Sequence, residues 1–263
     1  MTRNDLVFFK NWFVQYVQSY YSPNTEDQRN IYLKEEHTFK VCGNILEIIK
    51  GLNRSKEETM LAEVIALFHD VGRFPQYAKY KTFRDRYSVN HGYLGAQTLL
   101  KENVLKNLSE NEQKLIVKGV RFHNAFSIPK KEKEDIVFFI KLIRDADKLD
   151  IWRVFIDYYD FPEQERASAA GLGLPDTSGY SKDVLSYIFR KEVASQSKLK
   201  SLNDFKLMHL TWIYDLNFKT SYRLLSKRGY IDRIISRLPM DEEIKRVSLV
   251  LKEFVEERLK EGL

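Results

Sequence analysis

Cys42 is the only cysteine among 263 residues. No disulfide can close within the chain, which suits a reducing compartment, so a cytoplasmic location is expected. No apolar run is both long enough and free enough of charge to span a bilayer, and no membrane partner is expected. The apolar opening LVFFKNWFVQYVQSYY could pass for a leader segment. It carries Lys10, lacks a small-residue cleavage site, and puts Leu6, Phe9, Phe13, Tyr16 and Tyr20 at helical spacing. It therefore reads as an amphipathic packing helix. Long blocks of one charge are also missing. The net charge of +6 and pI near 9.1 suit an anionic ligand, but acidic and basic residues are mixed along the chain, and nucleic acid is not an expected partner. PKKEKED (129–135) reads as a solvated loop and helix start. Strand-like alternation is scarce, and no internal repeat or low-complexity tract stands out.

What is present is helical periodicity. Apolar spacing predicts helices near 4–20, 27–51, 56–70, 91–103, 110–123, 132–158, 181–194, 204–227, 229–237 and 241–261. Ser55-Lys-Glu-Glu58 and Ser109-Glu-Asn-Glu112 have the form of capping boxes. An all-α fold follows. A single domain is expected over 1–263, with its core at about 27–160 and a C-terminal helical extension at about 180–263. The glycine-rich stretch ASAAGLGLPDTSGY (167–180) would connect them; its Gly-x-Gly follows no strand and does not read as a phosphate loop.

Chemistry enters at ALFHDVGRFPQ (66–76). A His-Asp dipeptide arises by chance roughly 0.3 times in a chain of this composition, so the pair alone proves nothing. Its position tells more. Leu33, His37, Val41, Ile45 and Ile49 step by four, and Leu61, Ile65 and His69 form the same ladder, with Asp70 at the helix end. His91 leads a helix, and Ile116, Val120 and His123 form another ladder. Four histidines thus point inward from four helices. One buried histidine is ordinarily a satisfied core residue, and His209, beside Phe205, Met208, Trp212 and Ile213, reads as that. Four together with an aspartate are better satisfied by a shared metal, since each buried imidazole otherwise needs its own partners. Imidazole and carboxylate donors suit one or two divalent transition ions: Mn, Fe, Zn, Ni or Co, with Mg admitted. A further carboxylate is expected from IRDADKLDI (143–151), where periodicity leaves Asp145, Asp147 and Asp150 open.

The order His37, His69-Asp70, Asp147 resembles the HD-domain superfamily of metal-dependent phosphohydrolases, all-helical proteins with a His, His-Asp, Asp motif. In ADKLD the resemblance selects Asp147. His91 and His123 fall where two-metal branches of the superfamily carry two more histidines, and the likeness covers roughly residues 30–160. Those branches include cyclic-dinucleotide phosphodiesterases and dinucleoside-polyphosphate hydrolases. HNAFSIP does not reproduce the HD-GYP signature, so cyclic di-GMP is not implied. Gly72 and Arg73 stand where mononuclear nucleotidases carry a glutamate; two-metal members often have a lysine at the position of Arg73, where it meets substrate phosphate.

The expected reaction is hydrolysis of a phosphoester or phosphoanhydride in a small anionic, nucleotide-like substrate by a metal-activated water. His37, His69 and Asp147 would hold one metal and His91 and His123 the other, with Asp70 as bridge and catalytic carboxylate. Arg73 would act as catalytic and substrate-binding cation, and Lys148 and Asn124 as further substrate contacts. YAKYKTFRDRYSVN (77–90), with Lys79, Lys81, Arg84 and Arg86 among aromatics, reads as an ordinary surface loop or as a basic lid. Two alternatives share the ligands: a di-iron oxygenase of the inositol-oxygenase type, and a non-catalytic nucleotide sensor.

Overall fold

Twelve α-helices account for most of the described residues, and the first of them shows why the N-terminus packs. Thr2 and Asp5 form a capping box that starts α1 (Arg3–Gln18), which buries Phe9, Phe13 and Val17. A computed structural model describes residues 1–170 and 173–261. Among these no β-strand occurs, and no helix is long and apolar enough to cross a membrane. The chain divides into two compact units: Met1–Asp150 with Glu163–Leu172, and Ile151–Pro162 with Gly173–Leu263. Of the expected connection at 167–180, Gly171 and Leu172 lie outside the described residues.

The first unit is organised around α3 (Lys56–Phe68), which is buried at every position from Leu61 to Phe68. A helix apolar all round must be enclosed. It packs against α1, α2 (Thr25–Lys50) and α6 (Glu110–Phe122). Phe68 meets Phe9 edge-on, with ring centroids 5.6 Å apart. Gly119 of α6 lets that helix close on α3, since a Cβ there would stand 2.8 Å from Ile65 Cγ2. Both expected capping boxes form: Ser55 with Glu58 starts α3, and Ser109 with Glu112 starts α6. Such a cap contributes about 1 kcal/mol. Two shorter helices lie between them in sequence, α4 (Arg73–Tyr80) and α5 (His91–Lys101). The expected helices omit α4, although Phe74 and Tyr77 are buried at helical spacing on it; it carries Pro75 at its third position, where proline costs no helical hydrogen bond.

Helix α7 (Glu134–Asp160) begins in the first unit, and its last turns belong to the second. The second unit adds α8 (Lys182–Phe189), α9 (Leu202–Thr211), α10 (Lys219–Lys227), α11 (Tyr230–Ile235) and α12 (Glu242–Lys260). The helix expected at 204–227 is broken. Trp212–Asp215 tightens into a 3-10 turn and Leu216 is extended. The Tyr222 hydroxyl lies 3.1 Å from the carbonyl of Ile213 and 3.0 Å from that of Leu216, so it satisfies oxygens released at the break. His209 sits at the centre of this unit among the rings of Phe155, Phe205 and Trp212, with centroids 4.3, 4.3 and 4.4 Å away. Its backbone carbonyl accepts from Trp152 Nε1 at 3.0 Å.

Candidate metal centre

His37, His69, Asp70, His91 and His123 are all buried in the first unit. His37 lies mid-way along α2; His69 and His123 occupy the C-caps of α3 and α6; His91 is the first residue of α5. The imidazoles meet in two pairs. Nε2 of His37 is 3.3 Å from Nε2 of His69, and Nε2 of His91 is 3.0 Å from Nε2 of His123.

Asp70 stands between the pairs with one oxygen toward each. Its Oδ2 is 3.6 Å from His37 Nε2 and 3.7 Å from His69 Nε2. Its Oδ1 is 3.4 Å from His91 Nε2 and 3.8 Å from His123 Nε2. Of the three carboxylates left open on α7, Asp147 faces the first pair, with Oδ1 at 3.0 Å from His37 Nε2 and 3.7 Å from His69 Nε2. Asp150 lies behind His37, its Oδ2 2.8 Å from Nδ1. Asp145 is also buried.

Every Nδ1 is already occupied. His69 donates to the Ala66 carbonyl and His123 to the Val120 carbonyl, both at 2.7 Å; His91 donates to Asp85 at 2.8 Å, and His37 faces Asp150. When all four rings are neutral, as metal ligands must be, that leaves lone pairs on Nε2, directed at one another. Lone pairs about 3 Å apart repel unless a cation lies between them. Donors at about 2.1 Å from one cation, roughly at right angles to each other, stand about 3 Å apart, so the two pairs have the spacing that neighbouring ligands of one ion require. The triads His37, His69, Asp70 and Asp70, His91, His123 each bring three donor atoms within 4.8 Å of one another. The donor set fits divalent transition metals.

Electrostatics separates the two pairs. Burial and the Lys34 charge push His37 down, but Asp147 and Asp150 outweigh them and hold its pKa at about 9. Burial carries His123 down to about 3, helped by the neighbouring His91 and His69. Burial and Arg73 lower His91 against the pull of Asp85. Burial alone would raise the Asp70 carboxyl; Lys34, His69, Arg73 and His91 keep it well below the usual carboxylate range. For Asp147, burial is likewise outweighed by its hydrogen bonds with His37 and His69.

The expected substrate contacts are tied into the surrounding protein. Arg73 places Nε 3.4 Å from Asp70 Oδ1, while its NH1 donates to Gln76 Oε1, the Phe83 carbonyl and Asp85 Oδ1 at 2.9, 2.6 and 3.1 Å. Asn124 donates to Asp85 Oδ2 at 3.0 Å, and its own Oδ1 is buried without a partner. Lys148 is buried on α7 next to Asp147. In the basic segment 77–90, Lys81 pairs with Asp27 at 2.6 Å, and Arg84 and Arg86 lie over the Tyr87 ring. The segment's contribution to the centre is an acid, Asp85.

Sequence reasoning missed Lys34 and Asp85. Lys34 donates to Asp70 Oδ2 at 2.8 Å. It precedes His37 by one helical turn, so the α2 ladder carried its signal. Asp85 lies in a single 3-10 turn, where no periodicity applies. An internal repeat was missed as well. His37, Ser55, Glu58, Phe68 and His69 recur at a constant offset of 54 residues as His91, Ser109, Glu112, Phe122 and His123. Asn124 then stands at the position of Asp70. The short α5 matches only part of the long α2, which hides the repeat from hydrophobic patterning. Gly72 brings the copies together: a Cβ there would lie 2.3 Å from the His91 carbonyl oxygen and 2.5 Å from Gly95 N.

No curated protein and no solved structure gives a significant match to the chain. The profile of the HD domain matches residues 35–152, a span that contains both histidine pairs, Asp70 and Asp147. The motif order and the buried histidine-aspartate cluster agree with that match, so residues 35–152 are similar to an HD domain and carry its histidine-aspartate motif.

Proposed function

We propose that the chain hydrolyses a phosphoester or phosphoanhydride in a small nucleotide-like substrate, using two divalent metal ions. The reading rests on one observation above all: the two oxygens of Asp70 face separate histidine pairs. His37, His69 and Asp147 would hold one ion, His91 and His123 the other, and Asp70 would serve both. When bound, such a pair of cations supplies a water of lowered pKa and a clamp for phosphoryl oxygens.

The protein's own residues do the rest. Asp150, Asp85 and the carbonyls of Ala66 and Val120 orient the four imidazoles. The buried walls exclude bulk water and strengthen each charge interaction. Lys34 and Arg73 flank Asp70 from opposite oxygens, and their cationic heads lie where a phosphate bound beside Asp70 would add negative charge.

A screen of nucleotides and generic phosphoesters on protein loaded with Mn, Co, Ni, Zn or Fe tests the proposal. Release of inorganic phosphate or a nucleoside monophosphate, with two ions per chain, is expected. Oxygen uptake by the iron form with no hydrolysis in any metal form would overturn it in favour of an oxygenase. Nucleotide binding without turnover would do so in favour of a sensor.

A further inference from the structure

We propose that Asp85 is the positioning residue of the His91–His123 half of the centre: its carboxylate fixes the His91 ring and so sets how tightly that half holds a cation. The inference rests on the two-metal reading above.

At corresponding positions the two halves have the same construction, with His69 and His123 each backed by the carbonyl three residues earlier. The other histidine of each half is backed by a carboxylate, and here the sources differ. His37 is backed by Asp150 from α7, whereas His91 is backed by Asp85 from the turn between α4 and α5. The repeat itself supplies neither, because Ile31 occupies the position that corresponds to Asp85. The carboxylate behind His91 thus comes from a segment without helical register, whereas the one behind His37 comes from a helix.

The contacts of Asp85 are too many for a single surface ion pair. His91 Nδ1 lies 2.9 Å from Oδ1 and 2.8 Å from Oδ2. Oδ1 also accepts from Arg73 NH1 at 3.1 Å and Gln76 Nε2 at 2.9 Å, and Oδ2 accepts from Asn124 Nδ2 at 3.0 Å. Those donors come from α4, from the start of α5 and from just beyond α6. Gln76 is fully buried and its Nε2 also reaches Ser88 Oγ and the Val89 carbonyl, each at 2.9 Å, which holds the turn in place. A carboxylate accepting the Nδ1 proton keeps the Nε2 lone pair directed at His123 and Asp70 and makes that nitrogen a better donor. Outer carboxylates of this kind change metal affinity by about 10–100-fold. A merely structural tie would instead support the fold without favouring either half.

The test compares wild type with Asp85→Asn, Asp85→Ala, Asp85→Glu and, as a control for the other half, Asp150→Ala. Calorimetric titration of metal-free protein with cobalt reads affinity for each equivalent. ¹⁵N shifts of the His91 ring in metal-free protein read the tautomer. Asp85→Asn keeps the volume but presents an amide to Arg73 and Gln76. It is expected to weaken the second equivalent by about 10–100-fold while leaving the first unchanged. The His91 ring should pass from the Nδ1–H form to a mixture, Asp85→Glu should recover part of both effects, and Asp150→Ala should weaken the first equivalent instead. Equal weakening of both equivalents by Asp85→Asn, or an unchanged ring pattern together with an unchanged second affinity, overturns the proposal. If wild type takes up only one equivalent, the two-metal reading fails, and the ring shifts still decide whether Asp85 positions His91. If Asp85→Ala does not fold, Asp85→Asn carries the same comparison.

Discussion

The ammonium of Lys34 lies 2.8 Å from Oδ2 of Asp70, the oxygen that faces His37 and His69. A cation of the protein thus already touches the carboxylate at the centre, and a metal ion bound there would have to share it with Lys34.

Lys34→Met should therefore separate two effects. Without the ammonium, metal-free protein loses a partner for a buried carboxylate, and a cost of about 1–3 kcal/mol is expected. Manganese should then raise the thermal unfolding midpoint of Lys34→Met more than that of wild type, because the metal no longer meets a competing charge. Inhibition by inorganic phosphate should weaken in the same variant. A smaller manganese shift than in wild type, with phosphate inhibition unchanged, would remove Lys34 from both roles.

Asp70→Asn keeps the volume of the side chain and removes the charge both histidine pairs face. Metal content and hydrolysis should fall together, hydrolysis by several orders of magnitude. Circular dichroism should remain helical, since the α3 core does not depend on that carboxylate. Retention of both metals with full activity would show that His69-Asp70 is only a helix end.

Arg73→Lys should behave as a poor replacement. The guanidinium serves Asp70 through Nε and the turn at Phe83 and Asp85 through NH1, and an ammonium cannot span both. Limited proteolysis at residues 82–90 should speed up, and KM should rise with metal content preserved. Unchanged cleavage and KM would leave the fork without a role.

His209 sets an acid limit for the second unit. Burial holds its pKa at about 3 against an ordinary 6.5, so the folded state keeps the ring neutral while the unfolded chain takes up a proton. The stability linked to this group is complete above 6.5 and is lost as pH falls toward 3, by about 1.4 kcal/mol per pH unit. His209→Gln should cost about 1–3 kcal/mol at neutral pH and flatten that part of the acid limb, with specific activity per folded molecule preserved. Denaturant midpoints at pH 7 and pH 5 measure both effects; an equal acid loss in variant and wild type would count against this assignment.

The core of the fold was legible because it is periodic. The ladders of α2, α3 and α6 announced the inward faces of His37, His69 and His123, and the capping boxes marked where two of those helices start. The motif order then singled out Asp147 among three carboxylates that spacing alone could not rank. What stayed hidden lies outside helical register. Asp85 sits in one 3-10 turn and acts only through residues distant in sequence. The break after Thr211 leaves carbonyls that the Tyr222 hydroxyl satisfies, a contact that local propensity does not encode. Sequence position puts Arg73 near the centre, but its ties to Phe83 and Asp85 arise only from the fold of the 82–90 segment.

Gly72 bears on what sets the width of such a centre. With main chain against main chain at His91 and Gly95, the gap between the histidine pairs is limited by backbone atoms, not by any side chain that substitution could lengthen or trim. Asp70 and its counterpart Asn124 present different side chains from equivalent positions, while the glycine contact between the two helix pairs is made by backbone alone. The span between the two histidine pairs is thus set by main chain meeting main chain.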